Sequence, residues 1–161
     1  MRGRVLILMW ALSPALAAQT DIRWLTVTPH DVSFTAADPS SNPPTGTVTA
    51  QWRIRNGRPT RPWTLTVQAL SAVVSNCGKV PLSAFRVRCA SLKLAGNATG
   101  SCSSSPVVVS TGAGVLAWGT QSPGARTYTA NLTVEFVDSW QYPGAQSPAC
   151  SLSLNYSVNA P

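Results

Sequence analysis

Arginine is the residue type in this chain with the clearest potential for ligand chemistry. Arg53 and Arg55 alternate with apolar residues in one predicted strand, and Arg86 and Arg88 do so in another. Successive side chains of a strand point to opposite faces, so we expect all four guanidinium groups on the solvent side. If the two strands are near each other, these groups form a basic stripe that binds sulfate, phosphate or uronate. The alternative is a charged face that only protects the sheet against association.

Two aromatic residues occupy a predicted loop after a strongly patterned strand. Trp140 and Tyr142 lie in VDSWQYPG, residues 137–144, just before a Pro-Gly pair. Exposed aromatic rings can stack on sugars, because they combine an apolar face with a polar tip. This loop therefore favours a carbohydrate-binding module as an alternative function. The competing interpretation is that both rings cap the end of the hydrophobic core.

Catalytic chemistry has little support in the sequence. Glu135 and Asp138 are three residues apart, so on one strand their carboxylates face opposite ways and do not form a glycosidase pair. The chain has no Gly-x-Ser-x-Gly, no phosphate loop and no His-Glu-x-x-His. We predict that the protein is not an enzyme and uses no cofactor. A second alternative is an unrecognised hydrolase built on scattered serines, aspartates and His30, although His30 is itself predicted to be a turn residue.

The chain contains four cysteines, and an even number in an exported protein indicates two disulfides. Four cysteines allow three connectivities, and the sequence alone does not choose among them. Our preferred pairing is Cys89–Cys102 between neighbouring strands, with Cys77–Cys150 tying the last strand to the middle of the chain. A zinc site is the alternative, but no Cys-x-x-Cys occurs and the single histidine is distant in sequence, so no metal is expected.

The N-terminal residues have the pattern of a signal peptide. Two arginines in MRGR precede the apolar run VLILMWAL, and residues 15–17, Ala-Leu-Ala, place small residues where signal peptidase cleaves. A buried core helix would explain the apolar run but not these flanks. The run is also shorter than the about 20 residues that span a bilayer. We predict that residues 1–17 are removed and that residues 18–161 form one secreted domain, in the periplasm, at the cell surface or outside the cell.

Charge narrows the expected partners. The full chain has a formal net charge of +7, and removing two arginines with the signal leaves 7 − 2 = +5. A moderately basic secreted protein more plausibly meets anionic glycans than nucleic acid. No nucleic-acid partner is therefore predicted. No membrane span is predicted either, because no apolar run after the signal approaches membrane-spanning length.

Apolar and polar residues alternate with a period of two in many short segments, such as TVTAQWRI, PWTLTVQAL and TYTANLTVEFV. About nine such strands are predicted, separated by turns rich in Pro, Gly and Ser. Each strand has one apolar face and needs a second layer to cover it, which favours a two-sheet antiparallel β-sandwich over a closed barrel. The inward side chains predicted from the alternation are Val48, Ala50, Trp52, Ile54, Trp63, Leu65, Val67, Phe85, Val87, Cys89, Tyr128, Ala130, Leu132, Val134, Phe136, Cys150, Leu152, Leu154, Tyr156 and Val158.

Several segments together resemble secreted bacterial surface proteins. They are CGKVPLSAFRVRC, GSC, GTQSPGARTYTANLTVEF and the last strand CSLSLNYSV, within residues 46–159. The resemblance is to spore coat protein U-like domains and, more distantly, to chaperone–usher pilin subunits. It implies an immunoglobulin-like sandwich with a structural or adhesive role and no catalysis.

The pilin resemblance also implies a mode of assembly. In such proteins an N-terminal extension of one subunit completes the sheet of the next, with backbone hydrogen bonds giving affinity and side chains filling pockets. Residues 20–28 would be that extension here, and Tyr156 is similar to the aromatic residue near a pilin C-terminus. We therefore expect a subunit of an extracellular filament or pilus-like assembly, with copies of itself or other surface subunits as partners.

Overall fold

The computed structural model describes residues 22–34, 45–57, 61–137 and 150–161. In this part of the chain, ten strands and one short 3₁₀ turn (Leu82–Ala84) are formed. The predicted signal peptide, residues 1–17, lies outside the described residues. The strands are β1 (Ile22–Thr28), β2 (Asp31–Phe34), β3 (Thr45–Gly57), β4 (Pro62–Ala69), β5 (Phe85–Lys93), β6 (Thr99–Cys102), β7 (Val107–Val108), β8 (Gly114–Thr120), β9 (Gly124–Phe136) and β10 (Cys150–Asn159).

The strands form two five-stranded sheets. The first sheet has the order β1-β3-β9-β5-β7, and the second has the order β2-β10-β4-β8-β6. Every pairing between neighbouring strands is antiparallel. The predicted two-sheet antiparallel sandwich is thus confirmed, and the barrel alternative is not, since each sheet has two separate edges.

One strand was not expected from the sequence. The composition of AGNATGS, residues 95–101, predicts a turn. Its last residues nevertheless belong to β6, which pairs with β8 from Thr99 opposite Thr120 to Cys102 opposite Ala117. Backbone pairing, and not a repeating apolar face, makes this segment a strand. The strand count is therefore ten instead of about nine.

The core lies between the sheets and consists of alternate residues of the long strands. Every inward residue predicted above is buried, except that Val158 is only partly buried and the Cys150 side chain lies outside the described set. At the centre, Trp52 of β3 lies 5.3 Å from Trp63 of β4 and 5.9 Å from Tyr128 of β9, measured between ring centroids. This aromatic cluster joins the two layers at distances typical of favourable ring pairs.

Two glycines make room for the buried indole ring of Trp63 in the second sheet. Gly100 of β6 and Gly119 of β8 are opposite each other. A Cβ atom added to either would lie 2.7–2.8 Å from Cζ2 of Trp63, and at Gly119 it would also strike the carbonyl oxygen of Thr99. Trp63 can be buried beneath these strands only because neither position carries a side chain.

The disulfide Cys89–Cys102 is confirmed, with Cα atoms 5.3 Å apart. Because Cys89 belongs to β5 and Cys102 to β6, the bond connects the first sheet to the second. Cys77 is also disulfide-bonded. The side chain of Cys150 lies outside the described residues, so the pairing Cys77–Cys150 stays a prediction. It is supported by the backbone: the amides and carbonyls of Ser75 and Ser151, close to those two cysteines, bond each other at 3.0 and 3.1 Å.

Candidate functional site

The four predicted ligand-binding arginines share one face but not one place. Arg53 is opposite Thr127 on β9, whereas Arg88 is opposite Thr133 on the same strand. Six residues of strand correspond to ~20 Å. Arg53 and Arg55 are therefore near one end of the first sheet, and Arg86 and Arg88 are near the other. The structure does not bring the four guanidinium groups into one stripe.

Between the two arginine pairs, the outer face of the first sheet is polar and mostly uncharged. Asn131 on β9 donates a hydrogen bond from Nδ2 to Oγ of Ser91 at 3.0 Å. At the far end, Arg86 is directly opposite Glu135, so part of the local positive charge is offset. This face has the properties of a solvated sheet surface, with basic residues at its two ends.

Of the other candidate residues, Trp140, Tyr142 and Asp138 lie outside the described residues. His30 is exposed in the bend between β1 and β2, as predicted for a turn residue. Asp31 accepts a hydrogen bond from Oγ of Ser153 at 2.7 Å. Within the described ranges no group of three or more His, Cys, Asp or Glu residues is arranged to hold a metal ion.

The strongest candidate for a functional surface is the backbone of β10. On one side, β2 pairs with only its first residues, from Cys150 opposite Phe34 to Ser153 opposite Asp31. On the other side, residues 154–159 pair with β4. Among the described strands, none pairs with residues 154–159 on the β2 side. We call this side of residues 154–159 the open edge.

The direction of the backbone groups along β10 follows from three hydrogen bonds. The backbone N–H and C=O of Ser151 bond those of Ser75, and the carbonyl of Ser153 accepts from the amide of Leu70 at 3.1 Å. The backbone groups of Ser151 and Ser153 therefore point toward the β4 side. In an antiparallel strand this direction alternates residue by residue. The N–H and C=O groups of Leu154, Tyr156 and Val158 therefore point to the open edge.

The open edge faces β1 across the side of the sandwich. β1 is the outermost strand of the first sheet, and it packs against β10 of the second. Ile22 and Leu25 of β1 and Val158 of β10 are partly buried apolar residues at this place. We call β1 together with the open edge the seam. It combines unpaired backbone groups with apolar side chains that are only partly covered.

The outer edges of the two sheets differ from the seam in length. The edge strand β7 has two residues, and the edge strand β6 has four. Short edge strands are one of the ways in which proteins avoid unwanted strand pairing. The open edge is longer, and the sequence of residues 154–159, LNYSVN, includes no charge and no proline that would block an added strand.

Tyr156 anchors the open edge in the core. Its ring is buried, and its hydroxyl has no hydrogen-bond partner among the described residues. Burial raises the pKa of the Tyr156 phenol well above its ordinary value, since desolvation disfavours the phenolate. The side chain is thus held as a neutral, apolar-like group that fixes the position of the neighbouring backbone.

Donation of residues 20–28 to another subunit stays a prediction. In the single chain, residues 22–28 form β1 and pair with β3. The open edge on β10 could not be recognised from the sequence, because it depends on β2 ending after four residues.

No protein-family model, no curated protein and no solved structure matches this chain.

Proposed function

We propose that this protein is a secreted, non-enzymatic structural component of a cell surface or extracellular filament, and that it assembles by strand addition at the open edge of β10. The observation that carries the proposal is the row of backbone groups at Leu154, Tyr156 and Val158 that β2 leaves uncovered. The inferred occupant is an extended segment of a second copy. The Cys89–Cys102 disulfide supports an oxidising location, because such bonds persist mainly outside the cytosol.

The energetics require more than backbone pairing. Three residues offer three donors and three acceptors, and six bonds at ~1 kcal/mol each give ~6 kcal/mol. Association costs ~4–15 kcal/mol in lost translational and rotational freedom. The added segment must therefore also cover apolar side chains, and the partly buried Ile22, Leu25 and Val158 supply that surface. This requirement explains why the seam, and not a purely polar edge, is the suitable place.

The test is assembly of the processed protein, followed by size-exclusion chromatography with light scattering and by negative-stain imaging. Val158→Pro removes one edge N–H and places a proline ring in the path of an added strand. Val158→Thr is the matched control, because it keeps both the N–H and the β-branched shape. We expect concentration-dependent oligomers for the wild type and for Val158→Thr, and assembly weakened on the order of tenfold for Val158→Pro.

Two results would contradict the proposal. One is a wild-type protein that stays monomeric at every concentration tested. The other is a folded Val158→Pro variant that assembles as well as Val158→Thr. Near-ultraviolet circular dichroism of the variants confirms that Trp52, Trp63 and Tyr128 remain packed, so that loss of assembly is not mistaken for unfolding.

A further inference from the structure

The outer face of the second sheet carries one large exposed aromatic ring. Trp118 of β8 is 47% exposed, whereas Trp52 and Trp63 are fully buried. Its outward direction results from an irregularity in the strand. Leu116 and Ala117 are adjacent, yet both are buried, and the β4–β8 register shifts at this point. The shift turns Trp118 away from the core.

Small hydroxyl and amide side chains surround this ring. Trp118 is directly opposite Thr64 of β4 on one side and Ser101 of β6 on the other. Asn159 of β10 follows in the same row, opposite Thr64. Residues directly opposite each other in an antiparallel pair share a face. The ring therefore lies in a row whose other members both donate and accept hydrogen bonds.

The next row adds two more hydroxyl groups. Thr99 of β6 and Thr120 of β8 are opposite each other, and their Oγ1 atoms are 2.7 Å apart. A depression of about 130 Å³ lies on the neighbouring strands β4 and β10 and is lined by Pro62, Trp63, Thr64, Asn159 and Pro161. The ring, the hydroxyl pair and the depression together extend across four adjacent strands, which is ~14 Å at the usual strand spacing.

Charge distinguishes this face from the first sheet. The outward positions of β4, β6, β8 and β10 are polar and uncharged or apolar, and Arg61 only precedes β4. Asp31 on β2 is opposite Ser153 of β10. Ser153 is six residues before Asn159 on the same strand, so Asp31 is ~20 Å from Asn159. The outward positions concerned are Pro62, Thr64, Thr66, Gln68, Thr99, Ser101, Val115, Trp118, Thr120, Ser151, Ser153, Asn155, Ser157 and Asn159.

We propose that this face binds an uncharged polysaccharide, with a sugar ring stacked on the indole of Trp118. The apolar face of a pyranose fits a flat aromatic ring, and its hydroxyl groups match the hydroxyls of Thr64 and Ser101 and the amide of Asn159. An acidic glycan would find no cation among the outward residues of these four strands. This inference does not depend on the seam, because Trp118 lies two strands away from β10 in the second sheet.

The face stays accessible when a strand is added to the open edge. Addition widens the sheet beyond β10 and leaves β4, β6 and β8 uncovered. Each subunit of an assembly therefore presents its own Trp118. Many weak sites on one particle bind a polymer far more tightly than a single site does.

The experiment uses the processed protein in affinity electrophoresis through gels containing hydroxyethylcellulose, glycogen or galactomannan, together with pull-down on cellulose and chitin. Alginate and heparin are the charged comparison. We expect retardation or capture by at least one neutral polymer. Trp118→Ala should weaken it at least fivefold, and Trp118→Tyr should retain part of it. Val108→Ala, at an exposed apolar residue of β7 on the first sheet and away from the seam, is the control and should bind like the wild type.

Three binding results would overturn the inference. They are no binding to any neutral polymer, equal loss in Trp118→Ala and Val108→Ala, and binding to the charged polymers alone. A change of oligomeric state in Trp118→Ala, with unchanged glycan binding, would instead assign the face to a protein contact and would also refute the proposal. Thermal melting checks that Trp118→Ala remains folded.

Discussion

Two buried tyrosines should respond in opposite ways to loss of the hydroxyl group. The hydroxyl of Tyr128 accepts a hydrogen bond from the buried backbone N–H of Ser122 at 3.1 Å. Tyr128→Phe leaves that N–H without an acceptor, which costs about 1–3 kcal/mol of unfolding free energy. The hydroxyl of Tyr156 has no partner in the described part of the chain. Tyr156→Phe should therefore be neutral or stabilise the protein by up to about 1 kcal/mol.

The measurement is urea denaturation of both variants beside the wild type, with the change in midpoint converted through a common m-value. We expect the two variants to differ by about 2 kcal/mol, in the order Tyr156→Phe above Tyr128→Phe. Each variant keeps its ring, so the packing of Trp52, Trp63 and Phe85 is not altered directly. Equal destabilisation by the two substitutions would refute the hydrogen-bond reasoning.

The same pair gives a prediction for pH. The folded-state pKa of Tyr156 is raised, whereas in the unfolded chain the phenol titrates near 10. The unfolded state thus loses its proton first as pH rises. Stability from this group is fully present below about pH 10 and declines above it. Tyr156→Phe should lack this alkaline component. If both proteins lose stability with the same slope above pH 10, Tyr156 is not the group responsible.

Three further variants test the disulfide, the packing and a surface hydrogen bond. Replacing Cys89 and Cys102 together by Ala should lower the free energy of unfolding by about 3 kcal/mol, because the bond closes a loop with a sequence separation of 13; denaturation with and without reductant measures it. Gly119→Ala should cost about 3 kcal/mol or more, since its Cβ meets backbone and an indole ring; a thermal melt shows it. Asn131→Ala, which removes only the exposed bond to Ser91, should change stability by less than about 0.5 kcal/mol by the same melt.

The alternation of side chains was sufficient to predict the core and the class of fold. Val134 and Phe136 are buried, whereas Glu135 between them is on the outer face of the sheet, as strict period two requires. The same rule fails at β8. Counting in twos from buried Leu116 would place Trp118 in the core, but the irregularity beside Ala117 reverses the face. A local register shift of this kind has no simple sequence signal.

The candidate site was less predictable than the core, because it depends on which strands are neighbours. Arg53 and Arg88 are both on an outer face, as expected from alternation, yet β9 lies between their strands and their positions along it differ. The open edge likewise arises from where β2 stops relative to β10. Pairing between segments far apart in sequence decides both features, and the pattern within one segment carries no information about it.

The single covalent link described between the layers has a mechanical consequence. Cys89 and Cys102 fasten β5 to β6, at the side of the sandwich opposite β1 and β10. The two sheets are therefore joined covalently at one side of the sandwich, whereas at the seam no described bond other than packing holds them. A force that separates the sheets should part them first at the seam, while the disulfide keeps β5 and β6 aligned.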